Sequence, residues 1–288
     1  MQIVAMDAIN DKEQILSGLD SDLSPSQFQK LVEQTTSTAP PCLFAAVEEH
    51  TVIGLTSFRK HIFTSGAGDE LIAYQAAGVL TAPQSRGKGV FTRIVREAER
   101  VLAEQGASLI FGFPNSNAFP IWTKKLHYES EKLIRWKSVA LCGSERLFID
   151  PAYFEVNKAL RQDEEDLIAS KAKFYKNMLV AAEIESSVIW GVLRPKSFGC
   201  YRARIFDVGG VRCTSGQELR ALFRIVSTKI GGPYLARLQT VASNPLSSVL
   251  RDISESGVES DALIYKFLGN APLGFSGLAV FTGAAEWF

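Results

Sequence analysis

Charge of one sign is what this chain of 288 residues most plainly lacks. Lysine plus arginine and aspartate plus glutamate stand at 31 each, so no global excess draws it to nucleic acid or to an anionic membrane. Any phosphate it binds must be held locally. The four cysteines, Cys42, Cys142, Cys200 and Cys213, form no Cys-x-x-Cys pair and sit in apolar surroundings. That argues against a disulfide framework and against zinc, and for reduced thiols in a cytoplasmic protein. No segment stays apolar for the length of a membrane span, and the start Met1-Gln2-Ile3-Val4-Ala5-Met6-Asp7 has neither a basic region nor a long apolar core. These absences predict a soluble, unprocessed, cytoplasmic chain with no metal, no nucleic acid and no membrane partner.

Two familiar phosphate loops are missing as well. A P-loop needs glycine five residues before Gly87 and a hydroxyl residue after Lys88, where Ala82 and Gly89 stand. A dinucleotide fingerprint needs a third glycine where Thr92 stands. What is present is Gly78-Val79-Leu80-Thr81-Ala82-Pro83-Gln84-Ser85-Arg86-Gly87-Lys88-Gly89-Val90-Phe91. The apolar run from Leu71 to Leu80 predicts a buried strand, Pro83 ends it, and an amphipathic pattern begins at Val90. Gly87 and Gly89 can take φ > 0 and carry no side chain to hold a ligand away. The first helical N–H groups lack acceptors and the helix dipole adds about half a positive charge, so the turn predicts an anion site.

Gln84-Ser85-Arg86-Gly87-Lys88-Gly89 resembles the pyrophosphate loop Arg/Gln-x-x-Gly-x-Gly/Ala of the GNAT acyltransferase superfamily. The resemblance implies an α/β (α+β) fold and a coenzyme A site, with acetyl-CoA or another short acyl-CoA as co-substrate. It implies that Gln84, Ser85, Arg86, Gly87, Lys88, Gly89 and Val90 grip the pyrophosphate. Backbone groups of Val79, Leu80 and Thr81 would pair with the pantetheine arm where two strands splay apart, with an N–H near Leu80 facing the oxyanion.

The remaining elements follow the same order. Residues 1 to 6 read as a strand, Asn10 can cap a short helix to Leu19, and Ser24-Pro25-Ser26 starts another. Cys42–Glu48 and Val52–Phe58 flank a tight turn at Glu49-His50-Thr51. The helix after the loop puts Val90, Phe91, Ile94, Val95, Ala98, Val101 and Leu102 on one face and stops at Gly106. Ser108 to Phe113 reads as a strand parallel to 71–80 through a right-handed crossover. Leu133 to Leu141 reads as one more. The charged run 161–166 reads as a solvated face.

Asn115-Ser116-Asn117-Ala118 followed by a helix and His127-Tyr128 resembles the GNAT segment Asn-x-x-Ala, helix, Gly-Phe. Asn117 is the expected N-cap, Pro120 falls in the first turn, and His127 suits a left-handed cap. The resemblance places Asn115 and Trp122 beside the coenzyme. The tyrosine with which many members protonate the leaving thiolate is absent: counting from His127 its position is Thr123, and counting from Asn115 it is Trp122.

Residues 201 to 268 repeat the order of 71 to 140 without the glycine loop: a strand at 201–208, a helix opened by Thr214-Ser215-Gly216, a strand at 234–241, a helix from about Asn244 to Glu255 and a strand at 261–268. The expectation is therefore two tandem GNAT-like domains, each a mixed twisted sheet flanked by helices. Residues 1–142 carry the coenzyme loop, and 143–288 form a degenerate copy completing the acceptor cleft.

His61, with an unperturbed pKa of about 6.5, is the candidate general base; a plain loop histidine is the competing reading. Asn117 is the candidate for orienting thioester or amine, with capping as its alternative. Phe119, Trp122, Trp190, Tyr201 and Trp287 could stack on a base or sugar or fill cores. Trp190-Gly191-Val192-Leu193-Arg194-Pro195 and Thr282-Gly283-Ala284-Ala285-Glu286-Trp287 resemble pieces of tandem-GNAT sugar N-acyltransferases from bacterial polysaccharide gene clusters. That implies acylation of a nucleotide-linked amino sugar by a monomer or weak dimer. The alternatives are another amine, such as an aminoglycoside or peptide, or a non-catalytic coenzyme-A-binding sensor.

Overall fold

The computed structural model describes residues 1–6, 19, 42–64, 70–140, 168, 178–198, 201–213, 215–231, 234–241 and 255–269. Outside them lie the helices expected at 10–19, apart from Leu19, and from 24, the polar turn at 65–69, the run 161–166, most of the helix expected from about Asn244, Cys142, Cys200 and Trp287.

In chain order the strands are β1 (Gln2–Met6), β2 (Cys42–Glu48), β3 (Thr51–Thr64), β4 (Glu70–Thr81), β5 (Leu109–Gly112), β6 (Glu129–Ala140), β7 (Leu179–Ile184), β8 (Ser187–Phe198), β9 (Tyr201–Arg212), β10 (Tyr234–Val241) and β11 (Glu255–Phe267). Helix α1 (Val90–Glu104) joins β4 to β5, and α2 (Gly216–Ile230) joins β9 to β10. Among the described residues no helix is long and apolar enough to cross a membrane.

The chain forms two compact units. The first comprises Met1–Ser130, Ala262–Gly274 and Glu286–Phe288, and the second Glu131–Asp261 and Phe275–Ala285. They are interleaved along the sequence rather than divided at 142/143: residues 131–142 go with the second and 262–274 with the first.

In the first unit the strands run β1-β2-β3-β4-β5-β11, and every pair is antiparallel except β4 with β5. The β2–β3 turn is two residues long, with Glu49 at φ 48° and His50 at φ 66°. Both central residues at positive φ give the twist that suits adjacent strands. Strand β5 is only four residues long and wholly buried. It is paired on one side by β4 and on the other by Ile264–Phe267 of β11. The central parallel pair is thus completed by residues more than 150 positions away in sequence, because a buried strand cannot leave its N–H and C=O groups unmet.

The predicted apolar face of α1 is observed. Val90, Phe91, Ile94, Val95, Ala98 and Leu102 are buried against Phe44, Phe58, Tyr74 and Ile110 on one face of the sheet, with Val101 beside them. Gly106 turns the chain at φ 86°. Lys266 of β11 then ties this layer together, since its Nζ donates to Glu99 Oε2 of α1 at 2.9 Å and to the Leu126 carbonyl at 3.4 Å.

In the second unit the order is β6-β10-β9-β8-β7, with β9 and β10 parallel and the other pairs antiparallel. The strand–helix–parallel strand repeat is therefore present. The N-cap of α2 is Ser215, whose Oγ accepts the Glu218 N–H at 3.2 Å. Only residues 213–215 separate β9 from α2, against residues 82–89 between β4 and α1. Trp190 fills the core: its ring lies against Gly209 and Gly210, where any Cβ would come within 2.5 Å of it. On the same strands Asp207 is buried and ion-paired to Arg237 Nε at 2.5 Å and to Arg194 Nε at 3.6 Å.

Candidate functional site

The loop predicted to hold an anion is built from the end of β4. Residues Ala73–Ala76 of β4 pair in parallel with Leu109–Gly112. Past Ala76, among the described residues, no strand pairs with the β5 side of β4 for five residues, to Thr81. Opposite, on β3, the register slips: Leu55 pairs with Leu80 but Ser57 pairs with Ala77. One extra β4 residue is therefore accommodated there as a bulge, with Gly78 at φ 59° and Val79 38% exposed. A bulge increases local twist and swings the strand end away from its neighbour. The parallel pairing ends at Ala76 and Gly112, where β5 stops, next to the place where the resemblance implied a splay.

The chain then turns over Pro83–Ser85, with Ala82 N–H donating to Ile53 O at 3.0 Å and Ser85 N–H to Ala82 O at 2.8 Å. Ser85 is buried under this turn, and Arg86 Nε donates to the Thr81 carbonyl at 3.2 Å. Gly87 and Gly89 take φ 78° and 75°, and a Cβ on either would meet nothing within 4 Å. Gly89 is the N-cap of α1 and offers no side-chain acceptor, and the first turn holds no acidic residue. The first helical N–H with a backbone acceptor outside the turn is Arg93, bonded to Gly89 O. Val90, Phe91 and Thr92 open α1, where N–H groups have no acceptor within the helix, and its N-cap gives them no side-chain acceptor. Gln84, Arg86 and Lys88 are exposed around them. Open space, unmet donors, the positive helix end and two nearby cations make an anion cradle.

That cradle lies where it does because of a close approach that the sequence reading missed. Gly54 of β3 has no Cβ, and Val90 Cγ1 occupies the space 2.6 Å from where one would be. The start of α1 thereby packs directly on the strand that pairs with the bulge. A glycine inside a strand pattern, like Gly54 or Gly78, is the signal that could have revealed both features.

Residues 9–128 match the model of the acetyltransferase (GNAT) family. This stretch is similar to the acetyltransferase (GNAT) family. Solved structures of similar fold extend the likeness over nearly the whole chain. A GCN5-related N-acetyltransferase from Kribbella flavida covers 92% of this chain and 71% of its own, at TM-score 0.58 and 14% identity. One from Anabaena variabilis gives 93% and 73%, at 0.57 and 11%. Eis1 from Mycobacterium abscessus gives 93% and 74%, at 0.55 and 11%. Identities this low speak for the fold, which is GNAT-like with mixed α+β units. No curated protein sequence matches the chain.

The segment after β5 resolves the count that gave two positions for the missing tyrosine. Residues Ile121–Lys125 form a π-turn, with Leu126 N–H reaching Ile121 O at 3.1 Å. A π-turn absorbs one extra residue in a helical turn. That is why counting from Asn115 and from His127 disagrees by one. Trp122 is 2% exposed, its ring edge-on to Phe91 and Tyr128, and Thr123 Oγ1 donates to Phe119 O. Trp122 stands in the core cluster under α1. Tyr128 is buried too, its phenol pushed well above its usual pKa by burial and by the Glu99 carboxylate. His127 takes φ 59°, the left-handed cap expected of it.

The capping role belongs to Asn115 and not to Asn117. Asn115 Oδ1 accepts the N–H groups of Asn117 at 3.1 Å and Ala118 at 2.9 Å. Asn117 itself is exposed. His61 lies on β3 opposite Ala73, its ring 5.4 Å from Phe111 and 6.3 Å from Phe63. It shares the sheet face away from α1 with Phe111. Five β4 residues, roughly 16 Å of strand, separate its register position from Gly78. The structure thus keeps 79–90 together at the end of β4 and in the turn after it, and sets His61 well back from it. Among the described residues no three His, Cys, Asp or Glu gather to hold a metal.

Proposed function

We propose that the chain transfers an acyl group from acyl-CoA to an amine, and that the amine belongs to a nucleotide-linked amino sugar. The observation that carries acyl-CoA binding is the N-terminus of α1, which has no side-chain cap and opens over the positive-φ glycines Gly87 and Gly89, where a Cβ would meet nothing. Pyrophosphate in that cradle would be held by charge-assisted hydrogen bonds, with Arg86 and Lys88 as added cations. From there the pantetheine arm runs into the splay and pairs with β4 at Leu80 and Val79. The thioester, at the far end of the arm, comes to rest near the apex where β4 and β5 close at Ala76 and Gly112.

In the reaction the amine lone pair attacks the thioester carbonyl carbon, forming the C–N bond. A β4 N–H between Ala77 and Leu80, having no strand on that side, stabilises the oxyanion. The C–S bond then breaks, the amine loses one proton, and the thiolate gains one to leave as free coenzyme A. With neither Trp122 nor Thr123 an acid, orientation and the oxyanion donor supply most of the acceleration, and His61 or Asn117 would act through water. The sugar acceptor rests on the resemblance of the second half to tandem-GNAT sugar N-acyltransferases.

The test is coenzyme A release from acetyl- and 3-hydroxybutyryl-CoA across a panel of nucleotide-linked amino sugars, with Gly87→Glu as control. Turnover with one sugar, lost in Gly87→Glu, supports the reading. Turnover with an aminoglycoside or peptide instead overturns the sugar assignment. Thermal stabilisation by coenzyme A without turnover favours a sensor, for which the buried Trp122 is the supporting observation.

A further inference from the structure

Gln75 is a buried polar side chain that nothing above explains. It lies on β4, is 3% exposed, and its Oε1 is buried with no hydrogen-bond partner among the described residues. A buried amide oxygen without a donor costs about 1–3 kcal/mol, so such a group in a native fold needs a reason.

Its position supplies one. In register Gln75 pairs with Arg59 on β3 and with Phe111 on β5, one residue before the last β4–β5 pair at Ala76 and Gly112. That is the apex, where the parallel pairing ends. Its neighbours Tyr74 and Ala76 face α1 and pack with Ile110 in the core, so nothing can approach the apex from that side. Gln75 points to the other face, which it shares with His61 and Phe111, with Phe63 against both rings. An acceptor reaching a thioester at the apex must come across this face. A glutamine side chain reaches about 5 Å from its Cα, enough to span the one residue to the apex.

We infer that Gln75 positions the acceptor amine: its side-chain oxygen accepts an N–H of the amine and holds the nitrogen against the thioester carbonyl. The inference rests on the acyl-transfer reading above. The amide is neutral and offers no countercharge, so the site suits an uncharged amine. The rings of Phe63, His61 and Phe111 give that amine an apolar wall, of the kind the face of a sugar or aromatic ring can pack on. Gln75 is a positioning residue, not a base.

The test compares wild type with Gln75→Met, which keeps the shape without the oxygen, and Gln75→Glu, which keeps an oxygen acceptor. The readouts are kcat, the KM of each substrate and Tm, using acetyl-CoA and whichever panel amine wild type acetylates fastest. The expected result for Gln75→Met is a KM for the amine raised about tenfold, an unchanged KM for acetyl-CoA, and a Tm unchanged or higher. Gln75→Glu should recover part of the amine KM. An unaltered amine KM in Gln75→Met overturns the inference and assigns the oxygen to a buried water, leaving acyl transfer intact. A changed acetyl-CoA KM instead overturns it in favour of a coenzyme role. A wild type that acetylates no amine while still binding coenzyme A overturns both readings.

Discussion

Gly54 and Val90 touch more closely than any side chain on residue 54 would allow: a Cβ there would lie 2.6 Å from Val90 Cγ1 and 3.1 Å from Ile94 Cδ1. The anion cradle opens at Val90, so the strand and the glycine loop are in register only because residue 54 has no side chain. Gly54→Ala is expected to lose about 1–3 kcal/mol by overpacking. It should also weaken coenzyme A binding without touching the ligand. Denaturant midpoints and a coenzyme A titration check both effects together.

Gly87 presents the opposite case, since its Cβ would meet nothing but its φ of 78° disfavours other residues. A graded series separates backbone strain from charge. Gly87→Asn should be the mildest, because asparagine tolerates the left-handed region. Gly87→Ala should cost about 1 kcal/mol. Gly87→Glu should add repulsion of the pyrophosphate and raise the KM for acyl-CoA at least about tenfold, or 1.4 kcal/mol. An equal effect of alanine and glutamate on that KM would sink the phosphate assignment.

Asn115 caps the segment that leads into the π-turn, while Asn117 is exposed. Asn115→Ala should therefore cost about 1 kcal/mol, seen as a lowered Tm. Asn117→Ala should leave Tm unchanged. A drop in turnover for Asn117→Ala at constant Tm would give it the orienting role expected from sequence.

The glycine loop cannot be cut out with its own sequence neighbours. A fragment of residues 1–142 keeps β1 to β5 but loses Ile264–Phe267, leaving β5 with an open buried edge, and loses Lys266 from Glu99. It is expected to aggregate or to lack a cooperative transition. Adding a separately made fragment 143–288 should restore it. A soluble, cooperatively melting 1–142 fragment would contradict the importance given to β11.

Cys213 is half-buried at the entrance to α2, and burial, with Glu218 adding, pushes its thiol up to about 11. Alkylation of Cys213 by iodoacetamide should therefore be slow near pH 8, followed by peptide mass spectrometry. The folded state holds this proton more tightly than the unfolded chain, whose thiol titrates near 8.5. Its contribution is complete below that pH and is lost as pH rises toward 11. The stability difference between wild type and Cys213→Ala should shift against wild type over the same range.

What the sequence by itself determined is local. The run 71–80, the glycines at 87 and 89 and the periodicity from Val90 specify strand, turn and helix through φ preferences and one apolar face, and the structure shows each where predicted. The repeat of strand, helix and parallel strand was legible for the same reason. The tertiary structure alone decided which distant residues complete these pieces. Strand β5 needs hydrogen-bond partners on both edges, and residues 264–267 supply the second set although nothing in their composition names β5 as partner. A π-turn leaves only an off-by-one count in the sequence, so the burial of Trp122 had to be seen. The capping oxygen of Asn115, the close seat of Val90 on Gly54 and the unmet oxygen of Gln75 likewise depend on which atoms face each other across strands. Backbone preferences act within a few residues and can be read along the chain, whereas satisfying buried hydrogen bonds and filling space are settled between segments that only folding brings together.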